Sequence, residues 1–159
     1  MNLSILPDSL DGDTARALIA ELNAELDSIY PPDANFFALA PEEVDTGAGI
    51  FLVVRADGEA VGCGAIRKGE GGYGEVKRMY VKPAWRGRGV ARALLGALEG
   101  HARTLGIRTL RLETGNRQPE AMGLYERCGY ARIEAFGEYV GAPFSVCYAK
   151  RVDVDAPPA

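Results

Sequence analysis

Histidine is nearly absent from this chain: His101 is the only one in 159 residues. A multi-histidine metal centre is therefore excluded, and any Ser-His-Asp or Cys-His mechanism would depend on one side chain. His101 follows Glu99 and Gly100 on what the apolar spacing makes the polar side of a helix, so it is expected in solvent. Cysteine is scarce too. Cys63, Cys128 and Cys147 are odd in number and form no C-x-x-C pair, so they read as small buried hydrophobes rather than a disulfide framework or a zinc site. No metal is expected. Long apolar runs are missing as well: nothing approaches the roughly 18 residues a membrane span needs. The start, MNLSILPDSLDGD, has neither the basic nor the apolar region of a signal peptide. The expected compartment is the cytoplasm, with no membrane partner. Excess positive charge is also lacking. A formal charge of −4 gives a net field that attracts neither nucleic acid nor an anionic membrane, so nucleic acid is not expected as a partner.

What is present fits one core. With 47% hydrophobic residues the chain is large enough to be stable alone, and a single domain is expected over residues 1–152, followed by a disordered tail from 153 to 159. Asn2 to Leu6 reads as a strand, and Asp11 or Asp13 can cap a helix whose Leu18, Ile19, Leu22, Leu26 and Ile29 follow helical spacing. Tyr30-Pro31-Pro32 stops it. A shorter helix is expected after Pro41, with Glu42 and Glu43 in its first turn. Ile50 to Arg55 and Ala60 to Ile66 flank Asp57-Gly58, a strong hairpin signal. A strand over 74–82 leads into a helix from Gly89 to Leu105 that buries Val90, Leu94, Leu95 and Leu98, with Gly106 at its end. Strands over 108–113, 130–134 and 145–150 and a helix over 119–128 complete the chain. A hairpin first and a βαβ unit afterwards predict an α/β (α+β) fold. Its mixed sheet has helices on both faces, antiparallel early and parallel in the middle.

The densest signal is EVKRMYVKPAWRGRGVARALL, residues 75–95. An apolar strand ends at Pro83, a basic glycine turn follows, and a helix begins at once. Gly87 and Gly89 let successive amides point at one anion, with the positive end of the helix behind them and Arg86, Arg88 and Arg92 adding charge. A dinucleotide fingerprint is excluded because the third glycine is missing, and a Walker loop because G-K-S/T is absent. What remains is R-x-x-G-x-A at Arg86, Gly89 and Ala91. By itself it would also fit a basic surface turn that merely starts a helix. It resembles the acyl-CoA pyrophosphate loop of the GNAT acetyltransferases. The segment TGNRQPEAMGLYERCGY, residues 114–130, resembles a second signature of that family, N-x-x-A-x-x-L-Y-E-x-x-G-F/Y, through Ala121, Leu124, Tyr125, Glu126, Gly129 and Tyr130. One position departs. Gln118 stands where the signature has asparagine, and Asn116 lies two residues earlier.

The resemblance spans about residues 50–150. It implies the GNAT fold, a mixed sheet of about six to seven strands splayed between the fourth and fifth, with acetyl-CoA in the opening as co-substrate. The main chain of Met79, Tyr80 and Val81 would hold pantetheine and polarise the thioester, and the amides of Gly87, Arg88, Gly89, Val90 and Ala91, with Arg86 nearby, would hold the pyrophosphate. Gln118 or Asn116 would donate to a pantetheine carbonyl. Direct transfer to an amine needs a base and an acid. Glu75 matches the family's strand carboxylate and Tyr125 its thiolate-protonating tyrosine; Glu113 is a rival base. Unbroken alternation would put Glu75 on the strand face of Met79 and Val81. Tyr30 to Phe37 and Phe136 to Phe144 would form an aromatic, mildly acidic acceptor wall, suited to a small-molecule or amino-acid-like amine. Protein amines remain an alternative acceptor, a homodimer is allowed, and a non-catalytic acyl-CoA-binding module is the competing reading.

Overall fold

The computed structural model describes residues 2–32, 34, 39–45 and 47–153. The expectations for Phe36, Phe37 and the tail from residue 154 lie outside them. Strands β1 (Leu3–Pro7), β2 (Gly49–Ala56), β3 (Glu59–Lys68) and β4 (Tyr73–Val81) form an antiparallel meander, followed by β5 (Thr109–Gly115), β6 (Ala131–Ile133) and β7 (Ser145–Arg151). They make one seven-stranded sheet in the order β1-β2-β3-β4-β5-β7-β6. The pair β4–β5 is parallel and the others are antiparallel. The β2–β3 turn is Asp57-Gly58 with φ of 50° and 88°. Both central residues are thus left-handed, as a type I′ hairpin requires.

Helix α1 (Asp13–Ile29) covers one face of the sheet, where Ala15, Leu18 and Leu22 meet Phe51, Val53, Ala65 and Tyr80. Helices α2 (Val90–Thr104) and α3 (Pro119–Arg127) cover the other, where Val90, Leu94, Leu95 and Leu98 pack on Leu52, Val54 and Ile66. Each fully buried side chain of this size contributes about 1.5–3 kcal/mol. The end of α2 follows from Gly106, at φ 79°. It lets Ile107 N–H reach the Ala102 carbonyl at 2.9 Å and Gly106 N–H the Arg103 carbonyl at 3.1 Å, closing the helix in a Schellman motif.

Three local expectations are corrected. Neither Asp11 nor Asp13 caps α1: the cap position is Gly12, Asp13 sits in the first turn, and the Ser9 hydroxyl occupies the Asp11 carboxylate. The segment after Pro41 is a four-residue 3-10 turn, Pro41–Val44, in which Glu43 accepts the Ala40 N–H at 2.9 Å. Glu99 is not on the solvent side. It is buried on α2, where Tyr130 Oη donates at 2.9 Å and Lys150 Nζ at 3.0 Å. A long apolar stem lets Lys150 bring its charge to the carboxylate, which offsets the cost of burying it. His101, two residues on, is half-buried. Among the described residues no helix is long and apolar enough to cross a membrane.

Candidate active site

The site begins where pairing stops. Parallel hydrogen bonding joins Tyr73–Val76 to Thr109–Leu112 and goes no further. Beyond it β5 continues to Gly115 against β7, so the edge of β4 from Lys77 to Val81 has no strand partner on that side among the described residues. Unpaired backbone groups in a cleft are free to pair with an amide-bearing ligand or with water. The cleft between the splayed strands measures about 460 Å³.

A β-bulge decides which side chains reach it. β3 pairs Cys63 with Tyr80 and Ala65 with Lys77, so Gly64 alone opposes Arg78 and Met79. The extra residue is Arg78, at φ 57°. A Cβ on Gly64 would come within 3.1 Å of the Met79 side chain, so the glycine makes room for the bulge. Lys77 and Arg78 consequently share the α1 side: Lys77 Nζ lies 3.3 Å from Tyr139 Oη, and the Arg78 guanidinium donates to Asn23 of α1. Met79 and Val81 turn to the α2 side. The expectation that Glu75 shares the face of Met79 and Val81 is therefore corrected, because one extra residue inverts the alternation.

Glu75 is buried at a smaller neighbouring pocket and is not part of the cleft lining. Its carboxylate takes a hydrogen bond from Arg67 at 2.8 Å and one from Tyr139 Oη, with Lys77 at 3.9 Å. Glu113, by contrast, lines the cleft. Ser145 Oγ donates to it at 2.6 Å, yet burial holds its carboxyl above the ordinary glutamate range despite the opposing pull of that bond and of Lys77. Tyr125 lines the same cleft from α3, its Oη 3.9 Å from Met79 Sδ. Burial, reinforced by Glu113, pushes its hydroxyl well above the ordinary tyrosine value, so it stays protonated at neutral pH.

The glycine loop lies outside the cleft lining, at the start of α2. Gly87 and Gly89 have φ of 76° and 81°, and a Cβ on either would meet nothing within 4 Å. Among the described residues none accepts a hydrogen bond from the amides of residues 87–91, so those donors and the helix dipole of α2 are available to an anion. Arg86 is already engaged. Its Nε donates to the Val81 carbonyl at 2.9 Å and its terminal nitrogen meets Glu25 at 2.8 Å, tying the loop to β4 and α1. Arg88 stacks over Trp85 at 4.9 Å. Tyr80 points its ring at α1, with Oη 3.3 Å from Glu21, so only its main chain faces the open edge. Gln118 lines the cleft, where its Oε1 accepts from Gly115 N–H at 3.1 Å and from Tyr30 Oη at 3.2 Å. Asn116 is exposed and absent from the lining.

The expected acceptor wall is split. Tyr30 and residues 138–144 line the cleft, whereas Phe136 stacks at 4.2 Å on Arg111 in the smaller pocket. Sequence reasoning gave no site role to Lys77, Arg78 and Ser145 and held Tyr139 only as part of the Phe136 to Phe144 wall; the K-R doublet ahead of Met79 offered a signal for the first two.

An open mixed sheet, a splay with a free strand edge, an amide-lined glycine turn and a protonated tyrosine make up the layout of an acyl-CoA-dependent transferase. The acetyltransferase (GNAT) family profile matches residues 15–130. An IAA acetyltransferase of Azospirillum brasilense is 40% identical over 154 residues, covering 94% of this chain and 97% of the relative. A solved structure from Klebsiella pneumoniae, assigned to the acyl-CoA N-acyltransferases, superposes with a TM-score of 0.81 at 39% identity over 94% of this chain and 97% of that one. The PaiA N-acetyltransferase of Thermoplasma acidophilum, solved with coenzyme A, shares the fold at a TM-score of 0.71 and 16% identity, over 95% and 99% of the two chains. The chain belongs to the GNAT acetyltransferase family and is an N-acetyltransferase.

Proposed function

We propose that this enzyme moves an acetyl group from acetyl-CoA directly to the primary amine of a small-molecule acceptor. The observation that carries the reading is that Glu113, Tyr125 and the unpaired edge of β4 meet in one cleft. Acetyl-CoA supplies the reactive thioester. The amides of residues 87–91 and the helix dipole of α2 hold its pyrophosphate, and the Gln118 side chain and the free edge from Met79 to Val81 hold the pantetheine. A β4 amide donates to the carbonyl oxygen as negative charge gathers there.

Glu113 is the base. Its raised carboxyl brings its proton affinity closer to that of neutral solution, which suits proton removal from an ammonium. The freed nitrogen forms a bond to the carbonyl carbon, the C–S bond breaks, and the departing sulfur takes the proton of Tyr125. The nitrogen sheds its second proton to the Tyr125 phenolate as it becomes an amide, and Glu113 releases the first to solvent. Glu75, paired to Arg67 and Lys77, organises the α1 side of the sheet instead.

The test is a CoA-release screen across amines, amino acids, aminoglycosides and peptides. Turnover by wild type and its loss in both Glu113→Gln and Tyr125→Phe supports the reading, whereas acetyl-CoA binding with no turnover on any amine refutes it.

A further inference from the structure

Among the described residues four charged ones line the cleft: Lys77, Arg78, Glu113 and Glu138. Two of them neutralise each other, since Lys77 Nζ lies 3.4 Å from the Glu138 carboxylate. The other two are of opposite sign and, among the described residues, neither has an ion-pair partner within 4.0 Å. Arg78 donates only to the neutral Asn23 side chain, and Glu113 accepts only from the neutral Ser145 hydroxyl. They approach the cleft from different walls, Arg78 against α1 and Glu113 against β7. A half-buried guanidinium without a carboxylate is costly, and a bulge that forces a non-glycine residue to positive φ adds strain. Burial lowers the proton affinity of this guanidinium and no neighbouring carboxylate restores it. Arg67, one strand away, has three carboxylates within 4.0 Å, Glu43, Glu75 and Glu138.

We infer that Arg78 and Glu113 together receive a zwitterion, so that the acceptor is an amino carboxylate whose carboxylate binds Arg78 and whose ammonium faces Glu113. The inference rests on the acetyl-transfer reading above. The same cleft is lined by Leu22, Leu26 and Phe144, which suits an aliphatic or aromatic side chain on the acceptor. Acetylation removes the ammonium charge. The product keeps its carboxylate but loses its attraction to Glu113, which favours release after transfer.

The experiment compares free amino acids with their matched amides, leucine against leucinamide and phenylalanine against phenylalaninamide, in the wild-type enzyme with acetyl-CoA. A charge-assisted hydrogen bond predicts kcat/KM at least about tenfold higher for the acids. Arg78→Gln should raise the KM for the acids and shrink that ratio towards one, with kcat changed far less, and Arg78→Lys should keep part of it. Asn23→Asp sets an acidic partner on Arg78 without touching the strained strand, and should raise the same KM. A parallel titration of N-acetyl amino acids and N-acetyl amino-acid amides into the CoA-bound enzyme reads the Arg78 contact without turnover. Equal use of acids and amides by wild type, or a ratio unaltered in Arg78→Gln and Asn23→Asp, overturns the inference and leaves acetyl transfer standing. Carboxylate-dependent binding of the N-acetyl acids with no turnover of any amine overturns the acetyl-transfer reading and leaves the Arg78 site standing. Neither turnover of the acids nor binding of their N-acetyl forms also overturns the inference.

Discussion

Changing Glu75 and Glu113 to glutamine separates the two carboxylates by outcomes of different kinds. Glu75→Gln keeps size but removes the charge that faces Arg67 at 2.8 Å, Tyr139 Oη and Lys77 at 3.9 Å. Arg67 retains Glu43 and Lys77 retains Glu138, so no cation is stranded. The loss reduces to one charge-assisted hydrogen bond, worth about 2 kcal/mol. For a chain of this length that corresponds to a fall in Tm of roughly 4–8 °C. Turnover at a temperature well below Tm should stay largely intact. Glu113→Gln preserves an acceptor for Ser145 Oγ at 2.6 Å and has no ion pair to break among the described residues. Its Tm should barely move, while kcat falls about 10²-fold or more, the usual scale for a lost base. Continuous detection of released CoA thiol, from pH 5 upwards, adds a second readout. The acidic limb of kcat/KM in wild type should lie above the ordinary glutamate value of 4.5, because burial raises the Glu113 carboxyl and only its ionised form accepts the proton. The limb should vanish in Glu113→Gln and persist in Glu75→Gln. The opposite pattern, with Glu75→Gln inactive at unchanged Tm and Glu113→Gln active, would return the base role to Glu75 and refute the assignment.

Three further outcomes are expected. Saturating acetyl-CoA at about 100 times its Kd should stabilise wild type by roughly 2.7 kcal/mol, or about 5–10 °C in Tm, and Gly89→Val should abolish that increment. A branched side chain at φ 81° strains the turn and blocks approach to its amides. Tyr125→Phe keeps the ring contacts to Tyr130 and Tyr148. Calorimetry should therefore find acetyl-CoA affinity nearly unchanged, while steady-state turnover drops about 10²-fold. Gln118→Ala removes a cleft amide and the acceptor for Tyr30 and Gly115, so CoA affinity should fall about fivefold, on the scale of one hydrogen bond. Exposed Asn116→Ala should leave affinity in place, and a larger loss there would assign the pantetheine contact to Asn116, two residues earlier.

Much of this architecture was legible because local chemistry and tertiary structure agree. Asp57-Gly58 supplies the two left-handed residues its hairpin needs, Gly106 ends α2, and Gly87 and Gly89 take the positive φ that frees their amides. The face of Glu75 was not legible. It turns on a bulge at Arg78, a residue with no intrinsic preference for φ 57°, held there by the register of β3 and by the missing side chain of Gly64. Glu99 escaped for a related reason. Helical spacing marks it polar, and only the arrival of Lys150 and Tyr130 from far along the chain makes burial tolerable. Glu113 was visible as a carboxylate near the splay, but it shares its sheet face with Glu75, and which of the two meets the cleft depends on where the β4–β5 pairing ends, between them.

The short junction between β4 and β5 has a mechanical consequence. Among the described residues four parallel register pairs are all the strand pairing between a four-stranded panel, β1 to β4, and a three-stranded panel, β5, β7 and β6. Each panel is laced internally by longer antiparallel ladders. In amide hydrogen exchange the panels should behave as separate cooperative units, with the seam opening before either ladder. A ligand spanning the cleft touches both, so it works as a rivet across the seam. Protection should rise first at Leu110 and Leu112, seam residues outside the cleft lining that no ligand need contact.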